Sequence, residues 1–121
     1  MRSYQDILCK SHTFTHTGSP AAPSVSISGR VRLFGFQWIA GSGASAVIPL
    51  NFVNGTSYDA SKILLAFKTT LGDYPNQDYF IQVPSGGMLF EEGLFVRDES
   101  ASAGTPSAPE VGHVSIFYQL G

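Results

Sequence analysis

The chain predicts an all-β fold: a single-domain antiparallel β-sandwich, jelly roll or barrel of seven or eight short strands behind an extended N-terminal arm. Short runs of β-branched, aliphatic and aromatic residues with period-two alternation recur at close intervals. Thirteen Gly and seven Pro punctuate them, as tight turns require. A length of 121 residues suffices for one hydrophobic core and not for two. The division predicted is an arm or linker over 1–23 and a β domain over 24–121.

Taken in order, residues 1–23 are polar and mixed and end in Gly18-Ser19-Pro20-Ala21-Ala22-Pro23, a linker composition. Val25–Ser28 alternates as a half-buried strand does. After Gly29 comes the long run Arg30–Ala40. Strict alternation there puts Val31, Leu33, Gly35, Gln37 and Ile39 on one face, and Arg30, Arg32, Phe34, Phe36 and Trp38 on the other. Both faces of that strand are then expected to be at least partly covered. Gly41-Ser42-Gly43 is a turn, and Ala46–Val53 is the next strand, with Pro49 assigning its middle to an edge or a bulge. Asn54-Gly55 signals a tight type I′ hairpin, because both residues tolerate positive φ.

Ser61–Thr70 carries both periodicities: Ile63, Leu64 and Phe67 fit a helix, while Leu65, Phe67 and Thr69 fit a strand. Strand is the preferred reading, since the run ends in two threonines. Gly72–Asn76 is loop. Tyr79–Val83 is a strand stopped by Pro84-Ser85-Gly86-Gly87, and Met88–Phe90 and Leu94–Arg97 form a hairpin across Glu91-Glu92-Gly93. Residues 99–109 form a long Ser/Ala/Gly/Pro loop, and Val111–Leu120 closes the chain as a strand.

Seven basic and nine acidic side chains leave a net charge of −2. That balance lacks the basic footprint of a nucleic-acid binder, and Arg30 and Arg32 alone are too few to drive phosphate binding. No N-terminal apolar stretch approaches the roughly 7–15 residues of a secretory signal. No run approaches the roughly 20 residues of a membrane helix. The expectation is a chain made and left in the cytosol, or carried into an assembly by partners, with no nucleic-acid or membrane partner. Cys9 stands alone and can form no internal disulfide.

Reaction chemistry is not written in the residues. His12 and His16 lie four apart, but their Thr-rich surroundings favour a strand, where that spacing spans about 13 Å. His113 is distant in sequence. Glu91 and Glu92 point to opposite sides of an extended segment, whereas a glycosidase pair must face across a cleft. No nucleophile elbow and no phosphate loop is present. The expectation is a non-enzyme with no cofactor and no metal. What remains is a surplus: nine Phe, five Tyr and one Trp stand beside few charged residues. Aromatics and Arg are the types enriched in interfaces. The predicted interface residues are Arg30, Arg32, Phe34, Phe36, Trp38, Met88, Phe90 and Phe95.

Three stretches carry a resemblance. They are Gly29-Arg30-Val31-Arg32-Leu33-Phe34-Gly35, then Ile81 through Val96 with its Pro84-Ser85-Gly86-Gly87-Met88-Leu89-Phe90-Glu91-Glu92-Gly93 centre, and finally Val114-Ser115-Ile116-Phe117-Tyr118. Together they resemble small β-rich structural proteins of tailed bacteriophages, particularly marine and cyanobacterial ones. In those proteins a Pro-Gly-x-Gly turn usually stands where Pro84–Gly87 stands here. The likeness spans about 29–97 and 111–118 and omits 1–24 and 99–109. It implies a virion component, and among virion components a capsid decoration or cement protein on the outside of the shell. Its partners would be the major capsid protein or other virion proteins, and copies of itself, with a trimer preferred. The arm 1–23 and the hairpin around Met88–Val96 would contact the lattice, and the loop 99–109 would face solvent. Other readings are a tail, nozzle or fibre component, a carbohydrate or receptor-binding module with Trp38, Tyr58, Tyr74 or Tyr79 as a sugar platform, and a cupin-type enzyme.

Overall fold

The computed structural model describes residues 6–16, 24–40, 47–70, 78–83, 86–98 and 110–121. Nine strands account for most of them: β1 (Leu8–His16), β2 (Ser24–Ser28), β3 (Val31–Ala40), β4 (Val47–Asn54), β5 (Ile63–Thr70), β6 (Asp78–Gln82), β7 (Met88–Phe90), β8 (Gly93–Asp98) and β9 (Glu110–Leu120). The one helical element among the described residues is a 3₁₀ turn over Ala60–Lys62.

All pairings are antiparallel, and they nest. β4 pairs with β5, β3 with β6 and β7, β2 with β8, and β1 with β9. The chain is thus one long hairpin with its bend at 55–62, rolled so that successive rungs fall alternately in two sheets. The sheets have the orders β1-β9-β3-β6, with β7 beside β6 on the same edge of β3, and β2-β8-β4-β5. With β6 and β7 counted as one interrupted strand, this is the eight-stranded jelly roll, an all-β antiparallel sandwich. The preferred strand reading of Ser61–Thr70 holds from Ile63 onward.

The core lies between the sheets and is joined by aromatics. Ring centroids step from Phe52 to Phe36 (4.6 Å), from Phe36 to Phe67 (5.4 Å), and from Phe67 to Tyr79 (5.5 Å), crossing between the sheets as they go. Phe14 packs against Trp38 at 5.9 Å. Val31, Leu33, Leu50, Phe90, Leu94, Val96, Val114 and Ile116 complete the fully buried residues of this cluster. Each buried side chain of that size contributes about 1.5–3 kcal/mol relative to exposure.

Several expectations are corrected. Residues 8–16 are a paired strand and no arm, in register with β9 from Leu8↔Tyr118 to His16↔Glu110. The segment is polar because it is an edge strand with one apolar anchor, Phe14. Lys10 sits on that edge and its Nζ donates to the Ser26 carbonyl at 3.1 Å, clipping β1 to β2 and blunting the edge against strand addition. Asn54-Gly55 does not form a two-residue hairpin, since the chain takes a longer path through 55–62 before β5. Met88–Phe90 and Gly93–Asp98 do not pair with each other; β7 belongs to one sheet and β8 to the other, so Glu91-Glu92 turn a corner of the sandwich. Pro49 lies in an interior strand, opposite Lys68, but beyond the stretch of β4 that pairs with β8. The assignments for 1–5, 17–23, 41–46, 71–77, 84–85 and 99–109 lie outside the described residues.

The strand β3 contains a bulge that sets the whole surface. Its register with β9 runs Leu33↔Tyr118 and then Gly35↔Phe117, leaving Phe34 as the extra residue. The face that points inward therefore switches phase. Val31 and Leu33 are buried before the bulge, and Phe36 and Trp38 after it. The expected alternation, with Phe36 and Trp38 beside the arginines, fails for this reason. Opposite the bulge, β6 and β7 separate, and the Val83 N–H donates to the Phe34 carbonyl at 2.9 Å. Gly35 and Gly87 make the crowding tolerable. A Cβ on Gly35 would stand 2.6 Å from the Ile81 carbonyl oxygen, and one on Gly87, at φ +89°, 2.8 Å from that of Leu33.

Candidate functional site

With the inward residues known, the outer face of the β1-β9-β3-β6 sheet follows by alternation. Phe14 points in, so Cys9, Ser11 and Thr13 point out. Val114 and Ile116 point in, so His113, Ser115 and Phe117 point out. Beyond the bulge Gln37 and Ile39 point out, and on β6 so do Phe80 and Gln82. Hydroxyl pairs knit β1 to β9 across this face: Ser11 Oγ lies 2.9 Å from Ser115 Oγ, and Thr13 Oγ1 lies 2.9 Å from His113 Nδ1.

At its centre is an apolar groove of about 460 Å³, lined by Ile7, Phe34, Gly35, Phe80, Gln82, Val83 and Phe117. The bulge turns Phe34 outward. The bare Gly35 lets the rings of Phe80 and Phe117, on the strands either side of β3, meet at 5.7 Å. Phe80 is 56% exposed and Ile7 57% exposed. Among the outward residues with described side chains, Arg32 is the one fixed charge, and its Nη1 donates to the Gly86 carbonyl at 3.3 Å.

The eight predicted interface residues separate. Phe36, Trp38 and Phe90 are wholly in the core, and Met88 is half-buried against it. Phe95 is half-buried on the outer side of the other sheet, opposite Val53. Arg30 is exposed in the turn between β2 and β3. Arg32 and Phe34 alone share the grooved face. Phe80, Phe117 and Ile7, which dominate it, are absent from the predicted set. Their signal was present: each Phe stands out of phase with buried neighbours, Phe80 between Tyr79 and Ile81, and Phe117 between Ile116 and Tyr118.

A second, polar recess of about 240 Å³ is lined by Asn54, Gly55, Thr56, Ser57, Asp59, Lys62 and Glu92. Its groups satisfy one another. Lys62 Nζ meets Glu92 Oε2 at 2.9 Å, the Glu92 N–H donates to Asn54 Oδ1 at 2.9 Å, and Asp59 Oδ1 accepts from the Ser61 N–H and hydroxyl. Those two bonds from Ser61 hold the Asp59 carboxyl below its ordinary pKa, and the Glu92 carboxylate raises that of Lys62. The recess is a structural clasp.

The proposed sugar platform is not assembled. Trp38 is buried, Tyr79 packs on the core, and one face of the Tyr58 ring is taken by the Arg97 guanidinium at 3.9 Å. Tyr74 lies outside the described residues. Among the described residues no three His, Cys, Asp or Glu side chains come together to hold a metal, and no helix is long and apolar enough to cross a membrane.

No known protein family matches the chain, and no curated protein matches it.

Proposed function

We propose that the chain is a non-enzymatic virion structural protein of a tailed phage, one that decorates the outer surface of the capsid shell and stabilises it. The observation that carries this reading is spatial. The three stretches that resemble phage structural proteins are far apart in sequence, yet they form one contiguous block. β3 lies between β9 on one side and β6 and β7 on the other, and Glu91-Glu92 lead directly into β8. Two of the glycines within those stretches, Gly35 and Gly87, occupy close backbone approaches around the bulge. The resemblance therefore follows a structural unit, where a scatter of turn residues would not. The jelly roll recurs in viral capsid domains, a parallel at the level of fold.

A cement protein works by mass action: binding the assembled shell and not its separated subunits shifts the balance toward assembly. The end of the sandwich that carries the turns 29–30, 55–62 and 91–92 fits such a contact. Arg30, Asp59, Lys62, Glu91 and Glu92 are all exposed there, so charge is concentrated where the grooved face has little. The Met88–Val96 corner belongs to the same end.

The test is co-sedimentation of the purified chain with candidate capsid shells, with bound copies counted. High copy number that falls on Arg30→Glu supports decoration. Binding at only a few copies per particle replaces it with a tail, nozzle or fibre role, and a protein left in the supernatant overturns it for the shells tested.

A further inference from the structure

We infer that the outer face of the β1-β9-β3-β6 sheet is the surface through which copies of this chain pack together, with the groove between Phe34, Phe80 and Phe117 at the centre of the contact. The inference holds for the isolated chain and does not depend on the particle to which the chain belongs.

The first ground is where the unburied apolar side chains lie. Among the described residues, Ile7 and Phe80 are exposed large hydrophobics on this face, and Phe34, Ile39 and Phe117 are half-buried beside them; Leu8 and Leu120 belong to the same sheet but to its inward phase at the rim, and Leu64 belongs to the other sheet. Exposed apolar residues gathered on one face mark an association surface. The second ground is charge, and it selects the partner. A face that meets its own copy brings like charge against like charge, at a cost of several kcal/mol for each close juxtaposition. Such a face must be nearly neutral at its centre. Among the outward residues with described side chains, Ser11, Thr13, Ser115, Gln37, Gln82, Ile39 and the three Phe fit that requirement, with Arg32 set to one side. A surface for an oppositely charged partner would look different.

Size is the third ground. Four strands, three of them nine to eleven residues long, cover about 20 Å by about 30 Å at ordinary strand spacing and rise. The relief of the side chains raises that projected area toward the roughly 800 Å² per partner of a stable interface. Finally, the β1 edge is blunted by Lys10, which directs association to the face.

The native sequence supplies a reporter. Cys9, the one cysteine of the chain, lies on this face, in register with Phe117, and is exposed. Light scattering on the full chain at micromolar concentration is expected to give a closed oligomer. Phe80→Glu and Phe117→Glu are expected to give a monomer that keeps its β-sheet circular dichroism. Leu64→Glu, an equally exposed position (47%) on the other sheet, is expected to leave the oligomer intact. Cys9 in the wild-type oligomer should react with a bulky maleimide about tenfold more slowly than in Phe80→Glu, because access limits the rate. Should a variant fail to fold, Cys9 in wild type diluted below its association range serves as the reference. A wild-type monomer, an oligomer that survives both Phe substitutions, or one lost equally in Leu64→Glu overturns the inference.

Discussion

The two outer faces of this sandwich are built from the same kind of strand and end up opposite in character. On the β2-β8-β4-β5 side the chain covers itself. Val53 faces outward from β4, away from the core cluster, yet is fully buried. On the same side the segment 55–62 packs against β4 and lays Tyr58 over Arg97. Serines 24 and 28 and Ser26 finish that face at its β2 edge. On the β1-β9-β3-β6 side no described segment folds back, and the outward residues include Phe34, Phe80 and Phe117. A long bend between β4 and β5 supplies the cover on one side. On the other side we propose that another copy of the chain supplies the equivalent cover. One face is finished within the chain, and the other keeps its apolar groove open.

The bulge at Phe34 is what separates inside from outside on the grooved face, so breaking it gives the largest effects. Phe36→Ala empties a core position in contact with Phe52 and Phe67 and is expected to cost about 3–5 kcal/mol. Phe34→Ala, two residues away but beyond the phase change, is expected to cost about 1 kcal/mol or less in the monomer. Urea denaturation at low protein concentration measures both. Equal losses would mean that the two rings share one environment, contrary to the register.

That phase change also explains how much was legible beforehand. Strands β2, β8 and β9 announce themselves through clean alternation, because they are paired without interruption and one face of each is buried. β1 was read as an arm, because an edge strand with a single buried anchor has little apolar signal to show. In β3 the error was one of phase. Two in-phase pairs, Val31 with Leu33 and Phe36 with Trp38, are offset by one residue, and such an offset is the mark of a bulge. Strict alternation sent Phe36 and Trp38 to the surface and so misplaced two of the eight predicted interface residues. Phe80 and Phe117 were missed because their meeting depends on the gap at Gly35, a three-strand relation that no local pattern carries.

Gly35 is accordingly the second place to press. Gly35→Ala forces a Cβ to within 2.6 Å of the Ile81 carbonyl oxygen, which must move, at an expected cost of about 1–3 kcal/mol. The substitution also pushes β6 away from β3 and widens the Phe80–Phe117 contact. Thermal unfolding and the oligomer mass are both expected to fall. A mass that falls while stability holds would show that the groove, and not the sandwich, depends on this glycine.

On the covered side, Tyr58→Ala removes the ring that lies over Arg97 on the outer face of β8. The expected loss is smaller, about 1–2 kcal/mol, from a partly exposed cation–π contact and a modest apolar area. It should also convert the finished face into a second exposed apolar patch. Binding of a hydrophobic dye to Tyr58→Ala, absent in the wild-type oligomer, checks that the two faces differ through this cover alone.

The smallest effect concerns the clasp that holds the cover in place, and its direction follows from the two shifted groups. Ser61 hydrogen bonds lower the Asp59 pKa in the folded chain, so the contribution of Asp59 is present above the ordinary aspartate value and fades as pH falls through the lowered one. Glu92 raises the Lys62 pKa, so the contribution of Lys62 is complete below the ordinary lysine value and fades as pH rises through the raised one. Both side chains are exposed, and solvent screening keeps each contribution slight. The clasp should therefore be indifferent to pH across the neutral range and loosen at both extremes. Following the Ser61 amide resonance through an acid titration gives the Asp59 value directly, and it should disappear from the titration in Asp59→Asn. The difference in melting temperature between wild type and Asp59→Asn should shrink only in acid, and that between wild type and Lys62→Met only in alkali. A Ser61 amide that titrates at the ordinary aspartate value would mean that the Ser61–Asp59 hydrogen bonds do not persist in solution, and the segment 55–62 would then be held on this side by the Lys62–Glu92 pair and by Tyr58 on Arg97.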